Sequence, residues 1–175
     1  MTTVPPTGVA NPPPIATGWA ERAPVAEAMY NPALIACLLS AATETHVRTV
    51  SAGLPVALSF IVVPMTLHRG TRQALTSGAS RTHLKTWVER NPFTCVGFPA
   101  RAQGLVPMVR QGLRFGLRHD VLSLSGDALH PRNRLPARIP DHPELEDALR
   151  ISRLLGRWLA KTSPATVFAV MGVTP

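Results

Sequence analysis

Charge is scarce in this chain of 175 residues. Asp, Glu, Lys and Arg make up 16% of it, against about 25% in an average soluble domain, so part of the surface is expected to meet a partner. Aromatic residues are scarcer still, at 5%, and they do not alternate with basic residues in the pattern that stacking on single-stranded nucleic acid requires. There are only two cysteines, Cys37 and Cys95, each among apolar neighbours. Neither belongs to a C-x-x-C or Cys/His cluster, which argues against zinc or redox work and predicts buried, reduced thiols.

Long apolar runs are missing too. The longest, Leu54 to Leu67, is interrupted by Ser59, Pro64 and Thr66 and falls short of the roughly 18–20 residues that cross a bilayer. The start, MTTVPPTGVANPPPIATGW, has neither a basic n-region nor a continuous apolar h-region. It reads as a proline-rich extended leader over residues 1–28 rather than a signal peptide, and the cytoplasm is the expected compartment. Catalytic patterns are absent as well. His46, His68, His83, His119, His130 and His142 form no H-e-x-x-h motif and no i, i+4 pair. No G-x-S-x-G occurs. These absences predict no enzyme, no metal and no cofactor.

What is present is positive charge, unevenly placed. Of the formal net charge of +8, much lies between Arg48 and Arg118, where Glu89 is the only acid. Such a block suits nucleic acid, an acidic protein or a phosphate. Arginine greatly outnumbers lysine here, as a GC-rich coding bias alone would produce, so the position of each basic residue carries more than their number.

Residues 29–175 read as a single domain, mainly α, a compact helical unit with one small β-hairpin. Asn31 and Pro32 supply a cap and a first-turn proline for a helix over 32–48, apolar nearly all round and therefore central. The run over 54–67 reads as a helix with Pro55 in its first turn, stopped by Arg69 and Gly70; a buried strand is the alternative. Ser80 caps a short helix carrying Trp87. The segment from Pro99 to Asp120 is the most amphipathic, with Leu105, Val109, Leu113 and Leu117 on one arc and Arg110, Arg114 and Arg118 on the other. VLSLSGDALHP gives a hairpin turning at Gly126-Asp127. Residues 131–143, rich in proline, form a connector. Asp141 and Glu144 form a capping box for a helix that buries Leu145, Leu149, Ser152, Leu155 and Leu159. Ser163, Pro164 and Gly172 frame a last short helix.

Two constellations are candidates for function. A basic helix followed at once by a hairpin is winged-helix-like and sets Arg110, Arg114 and Arg118 to contact phosphates, although Pro107, Gly112 and Gly116 suit a rigid reader helix poorly. The cluster HRGTR offers His68, Arg69, Thr71 and Arg72 around Gly70 as an anion site, but without the spacing of a nucleotide-binding loop. A polar helix end beside a turn is the commoner explanation of such a cluster.

Three segments taken together, NPALIACLLSAA, LPVALSFIVVPMTLHRGTRQAL and LVPMVRQGLRFGLRHDVLSL, resemble the middle component of three-component ABC systems, bacterial conflict or defence cassettes. The shared features are Asn31-Pro32, a pattern L-P-L-x-L-H-[KR]-x-T-R present here as VPMTLHRGTR with Val63 in place of leucine, Trp87, and Phe115-Gly116-Leu117. The resemblance covers residues 29 to 130 most clearly. It implies a non-enzymatic adaptor, with an ABC-type ATPase and a third protein encoded nearby as partners, and it supplies no catalytic residues. The alternative is a winged-helix DNA-binding protein.

Overall fold

The computed structural model describes residues 31–76, 82–136 and 142–174. The leader over 1–28, the expected cap Ser80 and the Asp141 half of the capping box lie outside the described residues.

The first helix, α1 (Pro32–Val50), starts as its sequence dictates: the Asn31 side chain accepts from the Ala33 amide at 2.8 Å and Pro32 occupies the first turn. Ile35, Leu38, Leu39, Ala41 and Ala42 are wholly buried. The reason is that α1 is the central rod, packed by α5 (Phe98–Arg118) and α6 (Pro143–Leu159). Two glycines set the spacing of these contacts. A Cβ at Gly156 of α6 would collide with the Ala42 carbonyl and the Thr45 hydroxyl, and one at Gly112 of α5 would collide with the Ile35 side chain. At the first of these crossings the Thr45 hydroxyl lies 2.9 Å from the Arg153 carbonyl.

The run over 54–67 divides. Leu54–Pro55 is a two-residue strand, β1, and Val56–Leu58 is one turn of 3-10 helix. The helix α2 (Ser59–Leu67) begins only at Ser59, so Pro55 lies in a strand and not in a first helical turn. The helix reading holds over Ser59–Leu67, where Phe60 to Val63 are helical, and the buried-strand alternative does not; β1 is a two-residue edge ahead of them. Ile61 to Leu67 are buried, whereas Phe60 is half-buried and Ala57 exposed. Arg69 and Gly70 do not stop a helix. They begin one, α3 (Arg69–Thr76), after a break at His68, whose backbone is extended at φ −78°, ψ 114°.

The short helix α4 (Leu84–Arg90) places Trp87 5.6 Å from Trp158 of α6, centroid to centroid. In α5, Leu105, Val109 and Leu113 are buried as expected, but Leu117 is 38% exposed. The hairpin forms from β2 (Leu122–Ser125) and β3 (Ala128–Pro131), joined by Gly126-Asp127, with Gly126 at φ +60°, the first central position of a primed turn. It is not alone. β1 pairs antiparallel with β3, Leu54 opposite Leu129, giving a three-stranded sheet in the order β1-β3-β2. Pro55 is tolerated because β1 is an edge.

In α6, Leu149, Ser152, Leu155 and Leu159 are buried while Leu145 and Glu146 are half-buried, and the helix is preceded by His142 without a side-chain cap. Arg153 holds the Pro136 carbonyl at 2.8 Å, fastening the connector to α6 at that residue. The last helix, α7 (Pro164–Met171), has the Ser163 side chain accepting from the Thr166 amide and stops at Gly172, φ +65°. Cys37 and Cys95 are free and half-buried rather than fully buried; burial pushes the Cys37 thiol up. Among the described residues, no helix is long and apolar enough to cross a membrane, and no group of three His, Cys, Asp or Glu side chains could hold a metal ion.

Candidate docking face

The HRGTR segment is the joint between α2 and α3. Helix α3 needs an acceptor for its first amides, and His68 provides it: the Thr71 amide donates to His68 Nδ1 at 3.2 Å, and the Thr71 hydroxyl lies 2.9 Å from the same atom. A nitrogen that accepts carries no proton, so the neutral ring is protonated on Nε2. At the other side of the joint, Arg72 Nη1 donates to the carbonyls of Thr66 and Leu67 at 2.9 and 2.8 Å, two of the last-turn oxygens that a helix end leaves without partners. The Arg72 guanidinium also lies 3.9 Å from the Asp147 carboxylate of α6. Thr71 is buried. Of the four motif residues only Arg69 faces solvent; Thr71 is turned to the His68 ring and Arg72 Nη1 to backbone carbonyls rather than to an open anion site.

Two histidines have their pKa lowered. Burial does this to His68, aided by the nearby Arg101 and Arg72 charges. Burial also lowers His46, against the opposing bond from its Nδ1 to the Ala52 carbonyl at 3.0 Å. A depressed folded pKa means that the unfolded chain takes up protons first as pH falls. The stability these residues contribute is therefore complete above the ordinary imidazole value, about 6.5, and is lost as pH drops through their lower folded values. Urea midpoints measured at pH 8 and pH 5.5 should show a drop in the wild type, and a smaller drop in His68→Asn, whose Oδ1 keeps the cap but does not titrate. His68→Ala should cost about 1 kcal/mol at pH 8, the usual loss for a deleted cap. A His68→Asn variant as acid-sensitive as the wild type would reject this role.

A surface of a different kind lies along α5. Arg110, Arg114 and Arg118 are exposed at i, i+4 and i+8, and among the described residues no carboxylate pairs with any of them. Their helix face is turned away from α1 because Val109, Gly112 and Leu113 occupy the packed face. Leu117 continues the exposed strip, and Leu124 of β2 is 51% exposed. Ahead of the helix, Phe93 and Val96 protrude at 63% and 75% exposure.

Toward the start of α5 the same face walls a cleft of about 580 Å³. Its other sides are the 3-10 turn with the beginning of α2 and the end of α7. Phe60, Val106 and Phe168 give it an apolar lining, and Arg110 stands in its wall. The arginine row thus starts at the cleft. Reading the sequence did not find it, because three segments separated by up to a hundred positions assemble it. The spacing of Pro99, Ala102, Gln103, Val106 and Arg110 along one side of α5 was the only available signal.

Residues 19–175 match the family model described as ABC-three component (ABC-3C) system Middle Component 3. No curated protein and no solved structure matches the chain.

Proposed function

The chain belongs to the ABC-three component system Middle Component 3 family, and on that premise we propose that it acts as a non-enzymatic adaptor joining an ABC-type ATPase to a third protein in a bacterial conflict or defence cassette, in the cytoplasm. The observation that carries this reading is the face of α5, where a row of exposed arginines, with no carboxylate partner among the described residues, runs out of an apolar cleft. Apolar recesses bordered by like charge are what a docking surface needs: burial supplies affinity and the charges fix register and partner choice. The shifted side chains serve other ends. His68 and His46 bond within the fold, at the α2–α3 joint and at the end of α1, which supports binding rather than chemistry as the task.

The test is co-expression with the two proteins encoded by the flanking genes, followed by size-exclusion chromatography. The expected result is a complex containing all three chains. Elution of this chain apart from both neighbours would remove the adaptor reading.

A second reading, a winged-helix DNA binder, is favoured by one observation: the basic helix is followed by a hairpin whose inner strand pairs with β1. Each phosphate contact contributes about 0.9 to the slope of log affinity against log salt. On this reading Arg114→Glu should flatten that slope for duplex DNA by about one unit; an unchanged slope would dismiss it.

A further inference from the structure

We propose that the cleft between the 3-10 turn, α5 and α7 seats an apolar peptide segment of one partner protein, and that a carboxylate on this segment pairs with Arg110. The proposal rests on the adaptor reading and says where one partner docks.

Three features converge on this occupant. The volume, about 580 Å³, falls within the range of roughly 300–1,000 Å³ typical of ligand sites, and Phe60, Val106 and Phe168 offer only apolar surface to fill it with. Arg110 brings a full positive charge to this wall with no acid among the described residues to answer it, and the sequence from Arg48 to Arg118 contains no acid except Glu89. The complement is an anion attached to an apolar body.

The third feature is polar. The lining also carries the side chains of Gln103 and Thr174, an amide and a hydroxyl that both donate and accept. A fatty acid would satisfy the apolar wall and Arg110 but would leave these two groups unanswered. A peptide brings all three: side chains for the wall, a carboxylate for Arg110, and backbone amides for Gln103 and Thr174. Beyond the cleft, Arg114 and Arg118 continue the charge in the direction that an acidic stretch of the same segment would take.

The test uses the full chain co-expressed with the flanking-gene ATPase and third protein. A photo-crosslinking amino acid at position 106 should capture a segment of one of these two proteins, identified by mass spectrometry. Val106→Trp, which fills the recess, and the exposed-site variant Arg110→Glu should each weaken that partner about tenfold or more, with melting curves close to wild type for Arg110→Glu. Arg157→Glu, an exposed charge on α6, should change affinity less than about twofold. If the wild type binds neither protein, the adaptor reading falls and this proposal with it. If a partner binds but Arg110→Glu binds equally well, only the cleft assignment falls. Crosslinks to residues 1–28 of the chain itself, to a second copy, or to a retained small molecule seen by native mass spectrometry would likewise overturn it.

Discussion

Gly156→Ala is expected to destabilise the protein strongly. In α6 this position faces the backbone of α1, and the added methyl would collide with the Ala42 carbonyl and with Thr45. Neither neighbour is the free end of a flexible side chain. The helices must separate, which also breaks the contact of the Thr45 hydroxyl with the Arg153 carbonyl. Overpacking of this kind costs about 1–3 kcal/mol, more when backbone must move, against a total of about 5–15 kcal/mol for a domain. A thermal melt should therefore shift down by roughly 10 °C, at about 2–4 °C per kcal/mol for a chain of this size. Gly104→Ala is the control. Nothing lies within 4 Å of a Cβ there, and alanine in a helix interior is favoured by up to about 1 kcal/mol over glycine. Equal effects of the two substitutions would refute the account of the α1–α6 crossing.

The second large effect is expected at Arg72. Its guanidinium bonds two terminal carbonyls of α2 and stands near Asp147, so it ties together α2, α3 and α6. Arg72→Met keeps most of the volume of the side chain but leaves those oxygens without their donor. Hydrogen bonds from charged groups contribute about 1.5–3 kcal/mol each, and a loss of about 3 kcal/mol in urea-derived stability is the expected outcome. Arg72→Lys should recover only part of it, because a single ammonium can replace the Nη1 bonds to the two carbonyls but not the Nε–H that faces Asp147. A Met variant within 0.5 kcal/mol of the wild type, roughly the spread of a neutral surface change, would show that the joint holds without this residue.

Much of the fold was legible where local chemistry decides it. Asn31-Pro32 and Ser163-Pro164 mark helix starts because capping involves neighbours in sequence, and Gly126-Asp127 marks the hairpin because two residues must reverse the chain. Helix α3 escaped notice for the opposite reason: its cap is a histidine, a residue type that the usual cap preferences do not flag, so Arg69-Gly70 read as a stop. β1 escaped because two residues carry no period, and its partner Leu129 lies far along the chain. Gly112 counted against a reader helix on propensity, whereas its place against Ile35 gives it a packing reason. The exposed arginines could be placed on one face by periodicity alone. The cleft beside them could not, since Phe60, Val106 and Phe168 meet only after the helices have packed.

The central position of α1 has a consequence during translation. The helix that most needs cover is made before α5 and α6, which cover it. At about 5–20 residues per second, the interval between completing α1 and completing α6 is on the order of ten seconds. For that time α1 and the oily helix that follows lack the cover that α6 gives them in the finished fold. Residues 168–174, made later still, complete the wall of the cleft, so a partner meets its seat only once they have been added.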